Sequence, residues 1–133
     1  MNHFCHHIGI FTQHPLELVA FYSQKLGFKI GGTKEIPAHL MEKIFGVYSP
    51  AVLTKLRFDQ VTLEIFSLTS PSLNERAGNA AGYNHWGWAV RDKEAFVQKL
   101  KQNGVPVIEA GNKGRSIVFL ADPDGNLIEI YEE

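Results

Sequence analysis

Hydrophobic residues recur along the chain with the two-residue period of strands in some stretches and with the period of a helix in others. A short apolar stretch at 7–12 is followed by a helical pattern at 15–26, and the same succession returns at 85–90 and 92–102. Such internal repetition is typical of a chain built from two related modules.

The two predicted helices carry start and stop signals. Pro15 suits a first helical turn, and Asp92 is a candidate N-cap. Gly27 and Gly104 follow the helical patterns, as glycine commonly does at the C-terminal end of a helix. Each half therefore predicts one helix with defined ends.

Each half continues with a strand-like start and then with a pair of strands joined by a turn. These predicted strands are 28–30, 51–58, 61–68, 105–108, 116–121 and 126–131. Both halves thus follow a β-α-β-β-β order, which predicts an α+β fold.

We predict a single domain over 1–133, made of a first module at 4–68 and a second at 83–133. The halves differ by an insertion at 31–50. The segment 39–45 within it has the pattern of a short amphipathic helix, interpreted as a flap over one sheet. A surface helix without a role is the alternative.

Alternation of strand side chains places a histidine and a glycine together in each half. His7 and Gly9 share one face of the first strand, and His85 and Gly87 share one face of its counterpart. The bulky apolar residues between them are expected to face the helices. The histidines then face the opposite side, where the glycines leave space.

Two glutamates occupy equivalent positions in the last strand of each module, each between two apolar residues. A carboxylate buried there without a partner is costly, and a divalent cation is a suitable partner. Two imidazole nitrogens and two carboxylates suit a first-row metal. We therefore predict one metal site formed by His7, Glu64, His85 and Glu129.

Other side chains allow more than one interpretation. His6 competes with its neighbour as a ligand, but the alignment of the repeats selects His7. His39 reaches the site only if the insertion folds over it. Cys5 is expected to pack as a small core residue.

A further group of residues has two interpretations each. Arg57, Lys113 and Arg115 are candidates for contacting an anionic substrate group, although a solvated strand end is the favoured alternative. Phe66 and Tyr83 either line the site face or pack in the core.

Composition and charge narrow the class of protein. The chain of 133 residues is 44% hydrophobic and 20% charged, which is ordinary for one globular domain. Its formal net charge of -1 lacks the basic excess of a nucleic-acid-binding protein. No apolar run approaches the roughly twenty residues that span a bilayer. Without a signal-peptide pattern, and with one cysteine, a cytoplasmic protein without membrane or nucleic-acid partners is expected.

Four stretches together resemble the vicinal oxygen chelate superfamily, which includes glyoxalase I, bleomycin resistance proteins and extradiol dioxygenases. They are HIGI at 7–10, FYSQKLGF at 21–28, NHWG at 84–87 and DPDGNLIE at 122–129. Their order and spacing are more specific than any one of them, and the resemblance covers nearly the whole chain. It implies two β-α-β-β-β modules whose curved mixed sheets surround a central cup holding one metal.

The resemblance also implies an activity. It predicts a homodimer, one divalent metal ion per site (Ni, Zn, Co, Mn or Fe) and a small-molecule substrate with adjacent oxygens. In glyoxalase I-like (lactoylglutathione lyase-like) members, the metal stabilises the enolate or enediolate formed when a C–H beside a carbonyl loses its proton. The ligand glutamates move that proton, so Glu129 is the expected base and Glu64 its counterpart.

The ligand set separates the alternatives in part. Two His with two Glu match glyoxalase I-like lyases or isomerases best. Extradiol dioxygenases and fosfomycin-modifying enzymes typically use two His and one Glu, and acyl-CoA epimerases usually carry Gln where Glu64 stands. A non-catalytic binding or resistance protein is a further alternative. The first half lacks the usual Asn and Arg pattern for contacts with glutathione, so the identity of the co-substrate stays open. Two arrangements of the site also stay open: all four ligands from one chain, or ligands shared between two chains.

Overall fold

A computed structural model describes residues 2–70, 73–74, 76–112 and 114–133, which form two mixed four-stranded sheets. The chain divides into two units, Met1–Glu75 and Arg76–Glu133, and each contains one β-α-β-β-β module. The predicted fold class is therefore confirmed. Within the described residues, no helix has the length and apolar character needed to cross a membrane.

The strands and helices follow the predicted order. The strands are β1 (Ile8–Thr12), β2 (Lys29–Ile36), β3 (Ala51–Phe58), β4 (Val61–Leu68), β5 (His85–Val90), β6 (Val107–Asn112), β7 (Arg115–Ala121) and β8 (Leu127–Glu132). The helices are α1 (Pro15–Ala20), α2 (Ala38–Phe45) and α3 (Lys93–Gln102). The sheets have the orders β1-β4-β3-β2 and β5-β8-β7-β6, and in each the first strand runs parallel to the last.

The first helix differs from its predicted form. Six residues are α-helical, and the chain then continues as a π-helical segment over Phe21–Lys25. Leu18, Tyr22 and Leu26 are all buried and are spaced by four residues. In an α-helix each such step drifts by about 40° around the axis. The wider π-helical turn reduces this drift and keeps the three side chains on the buried face.

The helix ends agree with the sequence signals. The Asp92 carboxylate accepts a hydrogen bond of 3.0 Å from the backbone N–H of Ala95. Gly27 and Gly104 have φ values of 83° and 73°, the left-handed conformation that glycine adopts at low cost. The chain therefore turns sharply out of each helix into the next strand.

One face of each sheet carries the apolar core, and α1 packs on β4 as α3 packs on β8. The buried strand residues alternate with polar ones, as a half-covered sheet requires. The core side chains of these strands include Ile10, Leu63, Ile65, Ile128 and Ile130.

The insertion forms a helix on the other face of the first sheet. β2 runs through Ile36, and the predicted helix is α2. Met41 of α2 is fully buried in a cluster with Ala51 and Leu68. These two residues are register partners on β3 and β4, on the face opposite to the core residue Ile65. The helix predicted in the insertion thus packs on one face of the first sheet, and its interpretation as a flap stays a prediction.

The turn between β7 and β8 depends on Asp122, which is 4% exposed. Its Oδ1 accepts hydrogen bonds from the backbone N–H groups of Asp124 and Asn126, at 3.0 and 2.9 Å. Its Oδ2 accepts one of 2.8 Å from the Asn126 side chain.

We expect Asp122→Ala to lower the free energy of unfolding by about 2 kcal/mol, because it leaves these donors without their acceptor. Asp122→Asn keeps one carbonyl acceptor and is expected to cost less. Urea unfolding of both variants measures the difference. Equal stability of Asp122→Ala and the wild type would contradict this role of the turn.

Candidate functional site

In the first unit, strand register brings a histidine and a glutamate together. β1 runs parallel to β4 with Gly9 opposite Glu64. His7 lies two residues before Gly9 and therefore projects from the same face. Its Nε2 lies 3.4 Å from the Glu64 Oε2.

The second unit repeats this arrangement. β5 runs parallel to β8 with Gly87 opposite Glu129. His85, two residues before Gly87, places its Nε2 3.2 Å from the Glu129 Oε2. The predicted equivalence of the two halves thus extends to side-chain contacts.

The members of each pair differ in exposure. The side chains of Glu64 and Glu129 are 12% and 18% exposed, whereas those of His7 and His85 are 43% and 37% exposed. Each carboxylate is therefore largely withdrawn from water. A carboxylate charge in such surroundings needs a partner. Each imidazole lies at the accessible edge, where a ligand from solvent reaches it.

A neighbouring residue contacts the second ring nitrogen of each imidazole. The Nδ1 of His85 is hydrogen-bonded to the Oδ1 of Asn84. An amide oxygen only accepts, so Nδ1 is the donor in this hydrogen bond, which leaves Nε2 as the ring nitrogen that can bind a metal. His6 takes the corresponding place in the first unit, with its Nδ1 2.9 Å from the Nδ1 of His7.

Two further contacts were not predicted. Lys55 is the register partner of Glu64, and its Nζ lies 3.8 Å from the Glu64 Oε1. Phe119 packs its ring edge-to-face on His85 with centroids 5.0 Å apart. The hairpin turn predicted at 59–60 already implied the register of Lys55. Nothing in the sequence signalled the ring contact.

Among the described side chains, none of the other candidates from the sequence belongs to these pairs. Cys5 is exposed, so its predicted place in the core is wrong; its thiol lies 3.6 Å from the carbonyl oxygen of His7. Lys113 lies outside the described residues, as does the side chain of Arg115. Neither pair includes the other site residues suggested by the sequence that are exposed, namely His39, Arg57 and Tyr83.

Each pair has a geometry that fits a metal. Two donors about 2.1 Å from one cation are roughly 3.0 Å apart at a right angle and about 3.4 Å apart at a tetrahedral angle. The two nitrogen–oxygen distances, 3.4 and 3.2 Å, lie in this interval. Among the described residues, the chain contains no group of three or more His, Cys, Asp or Glu side chains that could hold a metal ion.

The chain is similar to characterised and structurally determined proteins over most of its length. It is 32% identical over 121 residues to a lactoylglutathione lyase of Salmonella typhimurium, covering 86% of this chain and 81% of the relative. It superposes on a glyoxalase family protein from Enterococcus faecalis with a TM-score of 0.72 and 25% identity, over 97% of both chains.

A trypanothione-dependent glyoxalase I of Leishmania major shares the fold, with a TM-score of 0.66, 22% identity, and coverage of 99% of this chain and 88% of that one. The model of one family matches residues 5–130, which confirms the resemblance seen in the motifs. On this match, the chain belongs to the Glyoxalase/Bleomycin resistance protein/Dioxygenase superfamily.

Proposed function

We propose that the protein is a metal-dependent, glyoxalase I-like lyase or isomerase that moves a proton next to a carbonyl group. The observation that carries the proposal is the repeated His–Glu pair, with nitrogen–oxygen distances of 3.4 and 3.2 Å at equivalent strand positions. The similarity to a lactoylglutathione lyase supports this class of reaction.

His7, Glu64, His85 and Glu129 are the proposed ligands of one divalent ion, which is Ni, Zn, Co, Mn or Fe. Such an ion, when bound, withdraws charge from two neighbouring substrate oxygens and so acidifies the adjacent C–H. The two carboxylates balance its charge of +2, which leaves the site near neutrality before substrate binds. A homodimer belongs to the proposal, with both donor pairs supplied by one protomer or shared between two.

The glutamates move the proton in this proposal. Glu129 accepts the proton from the carbon that carries the hydroxyl group of a hemithioacetal and returns it to the neighbouring carbon. Glu64 has the equivalent position and takes the counterpart role. The low exposure of both carboxylates keeps competing water away from the proton in transit.

The first prediction concerns metal affinity. Asn84→Ala removes the acceptor that holds the proton on the His85 Nδ1, so we expect the affinity for Zn²⁺ to fall by about tenfold or more. Asn84→Asp keeps an acceptor at this position and is expected to stay near the wild type. Calorimetric titration of the metal-free proteins with Zn²⁺ measures the affinities of the wild type and of both variants.

Asn79→Ala changes an exposed asparagine elsewhere in the same unit and is the control for this titration. If Asn84→Ala binds Zn²⁺ as tightly as the wild type does, this would contradict the role of Asn84 in orienting His85 as a metal ligand. A wild-type protein that binds no divalent metal would contradict the proposed function as a whole.

The second prediction concerns turnover. We expect Glu129→Gln to lower kcat for the hemithioacetal of methylglyoxal by at least about a hundredfold, because an amide cannot accept the proton. The control Glu94→Gln alters an exposed carboxylate on α3 and is expected to keep full activity. Circular dichroism checks that the fold is retained.

Full activity of Glu129→Gln, or of the wild type after exhaustive chelation, would eliminate the proposed mechanism. Affinity for a small molecule that is insensitive to chelation would instead favour a non-catalytic binding protein. Gel filtration with light scattering tests the homodimer separately.

A further inference from the structure

Strand register places three cationic side chains on the sheet face that carries the first donor pair. Lys55 and Arg57 are two residues apart on β3, so they project from the same face. Lys55 is the register partner of Glu64, and Lys29 of β2 is the register partner of Arg57. Partners in an antiparallel pair share a face, so Lys29, Lys55 and Arg57 form one group, here called the basic patch.

The basic patch has little compensating charge. Lys29 and Arg57 are exposed, and neither forms an ion pair within the part of the chain that the structure describes. Lys55 has one, with its Nζ 3.8 Å from the Glu64 Oε1, and its side chain is 42% exposed. The register partner of Arg57 on β4 is the uncharged Thr62. Like charges directly opposite each other on a sheet repel, so an anion bound between Lys29 and Arg57 relieves an unfavourable contact.

A glycine leaves room beside the basic patch. The register between β2 and β3 shifts at Gly31, and the next residue, Gly32, is the register partner of Lys55. A Cβ placed on Gly32 would meet no atom within 4 Å, so the space next to this position is open. The φ of Gly32 is 125°, a conformation that residues with a side chain rarely adopt. The backbone conformation therefore favours a position without a side chain next to Lys55.

The second module has apolar residues at the equivalent positions. The register partner of Glu129 is Phe119, where the first module has a lysine. Ala121, two residues further along β7, takes the place of the arginine. Ile108, the register partner of Phe119 on β6, takes the place of the glycine. The cations therefore belong to the first module in particular and do not follow from the fold that both modules share.

The basic patch lies within reach of a molecule bound at the first donor pair. The Lys55 ammonium contacts Glu64 directly, and Arg57 stands roughly 7 Å further along β3. A guanidinium group offers paired N–H donors in one plane and an ammonium group adds a point charge, a combination that suits phosphate. A phosphate monoester carries about −1.5 to −2 charges at pH 7, which matches three cations better than a single carboxylate does.

We propose that the basic patch binds a phosphate group of the substrate, whose carbonyl oxygen and neighbouring hydroxyl oxygen bind at the metal site. This inference rests on the proposed function and makes it more specific. The substrate class is an α-hydroxycarbonyl compound that carries a phosphate group, and a hemithioacetal of a 2-oxoaldehyde is one form of such a compound. The proton moves as in the proposed function, and the phosphate group takes no part in the bonds that break and form.

Two hydroxamic acids test the phosphate subsite without turnover. Glycolohydroxamate and its phosphate ester present the same two chelating oxygens and differ only in the phosphate group. Titration into the Co²⁺-loaded protein, followed by the visible absorption of the cobalt, measures both affinities. We expect the wild type to bind the phosphate ester roughly tenfold more tightly at low ionic strength, and we expect concentrated salt to reduce this preference because it screens charges.

Arg57→Gln is expected to remove most of this preference and to leave the affinity for glycolohydroxamate unchanged, because its side chain belongs to neither donor pair. Lys29→Gln is expected to act in the same direction, and the double variant decides if one cation compensates for the loss of the other. Lys99→Gln is the matched control, since it removes the same charge from an exposed position on α3 and is expected to keep the preference.

The outcomes separate the two proposals. Equal affinities of the wild type for both compounds, or a preference that persists in the double variant, overturn the phosphate subsite and leave the metal site intact. A wild-type chain that takes up no cobalt overturns the proposed function and the phosphate subsite with it.

Discussion

The parallel pairing of the first strand with the last in each module is the constraint on which the candidate site depends. In both modules this pairing sets a glycine opposite a glutamate, as Gly9 with Glu64 and Gly87 with Glu129. The imidazole two residues before each glycine projects from the same face, with its Nε2 within 3.4 Å of that carboxylate. A slip of one residue would turn one strand's side chains to the other face and separate each pair.

The apolar core maintains that register. Leu63 and Ile65 are buried on the face covered by α1, and Glu64 between them has to project from the opposite face. Ile128 and Ile130 constrain Glu129 in the same way. Each of these carboxylates, largely withdrawn from water, has an imidazole nitrogen within 3.4 Å. The same packing that stabilises the sheets thus holds two acidic groups ready for a cation.

The two modules share this chemistry but differ in what surrounds it. Residues 37–50 separate β2 from β3 and include α2, whereas only residues 113–114 separate β6 from β7. In the first module, a helix therefore packs on the sheet face that carries the donor pair, with Phe45 against Phe11 and Phe66. The second has Phe119 against its imidazole. Duplication accounts for the proposed metal ligands, whereas the insertion makes the surroundings of the two donor pairs different.

The sequence by itself determined the order of the elements and the faces of the strands. Alternation and glycine signals act over a few residues, and they suffice to place His7 and Glu64 on the face away from α1. The hairpin at 59–60 likewise set Lys55 opposite Glu64. The metal, the homodimer and the catalytic roles stay predictions, because they depend on a bound ion, a second protomer and a substrate.

Tertiary structure alone decided which side chains touch. Periodicity predicted a helix in the insertion, but its contact with β3 and β4, and the edge-to-face contacts of Phe45 with Phe11 and Phe66, join residues far apart in the chain. The exposure of Cys5 and the ring contact between His6 and His7 depend on where one chain end lies and on rotamers. Local patterns encode the direction of a side chain, whereas its partners follow from packing at long range.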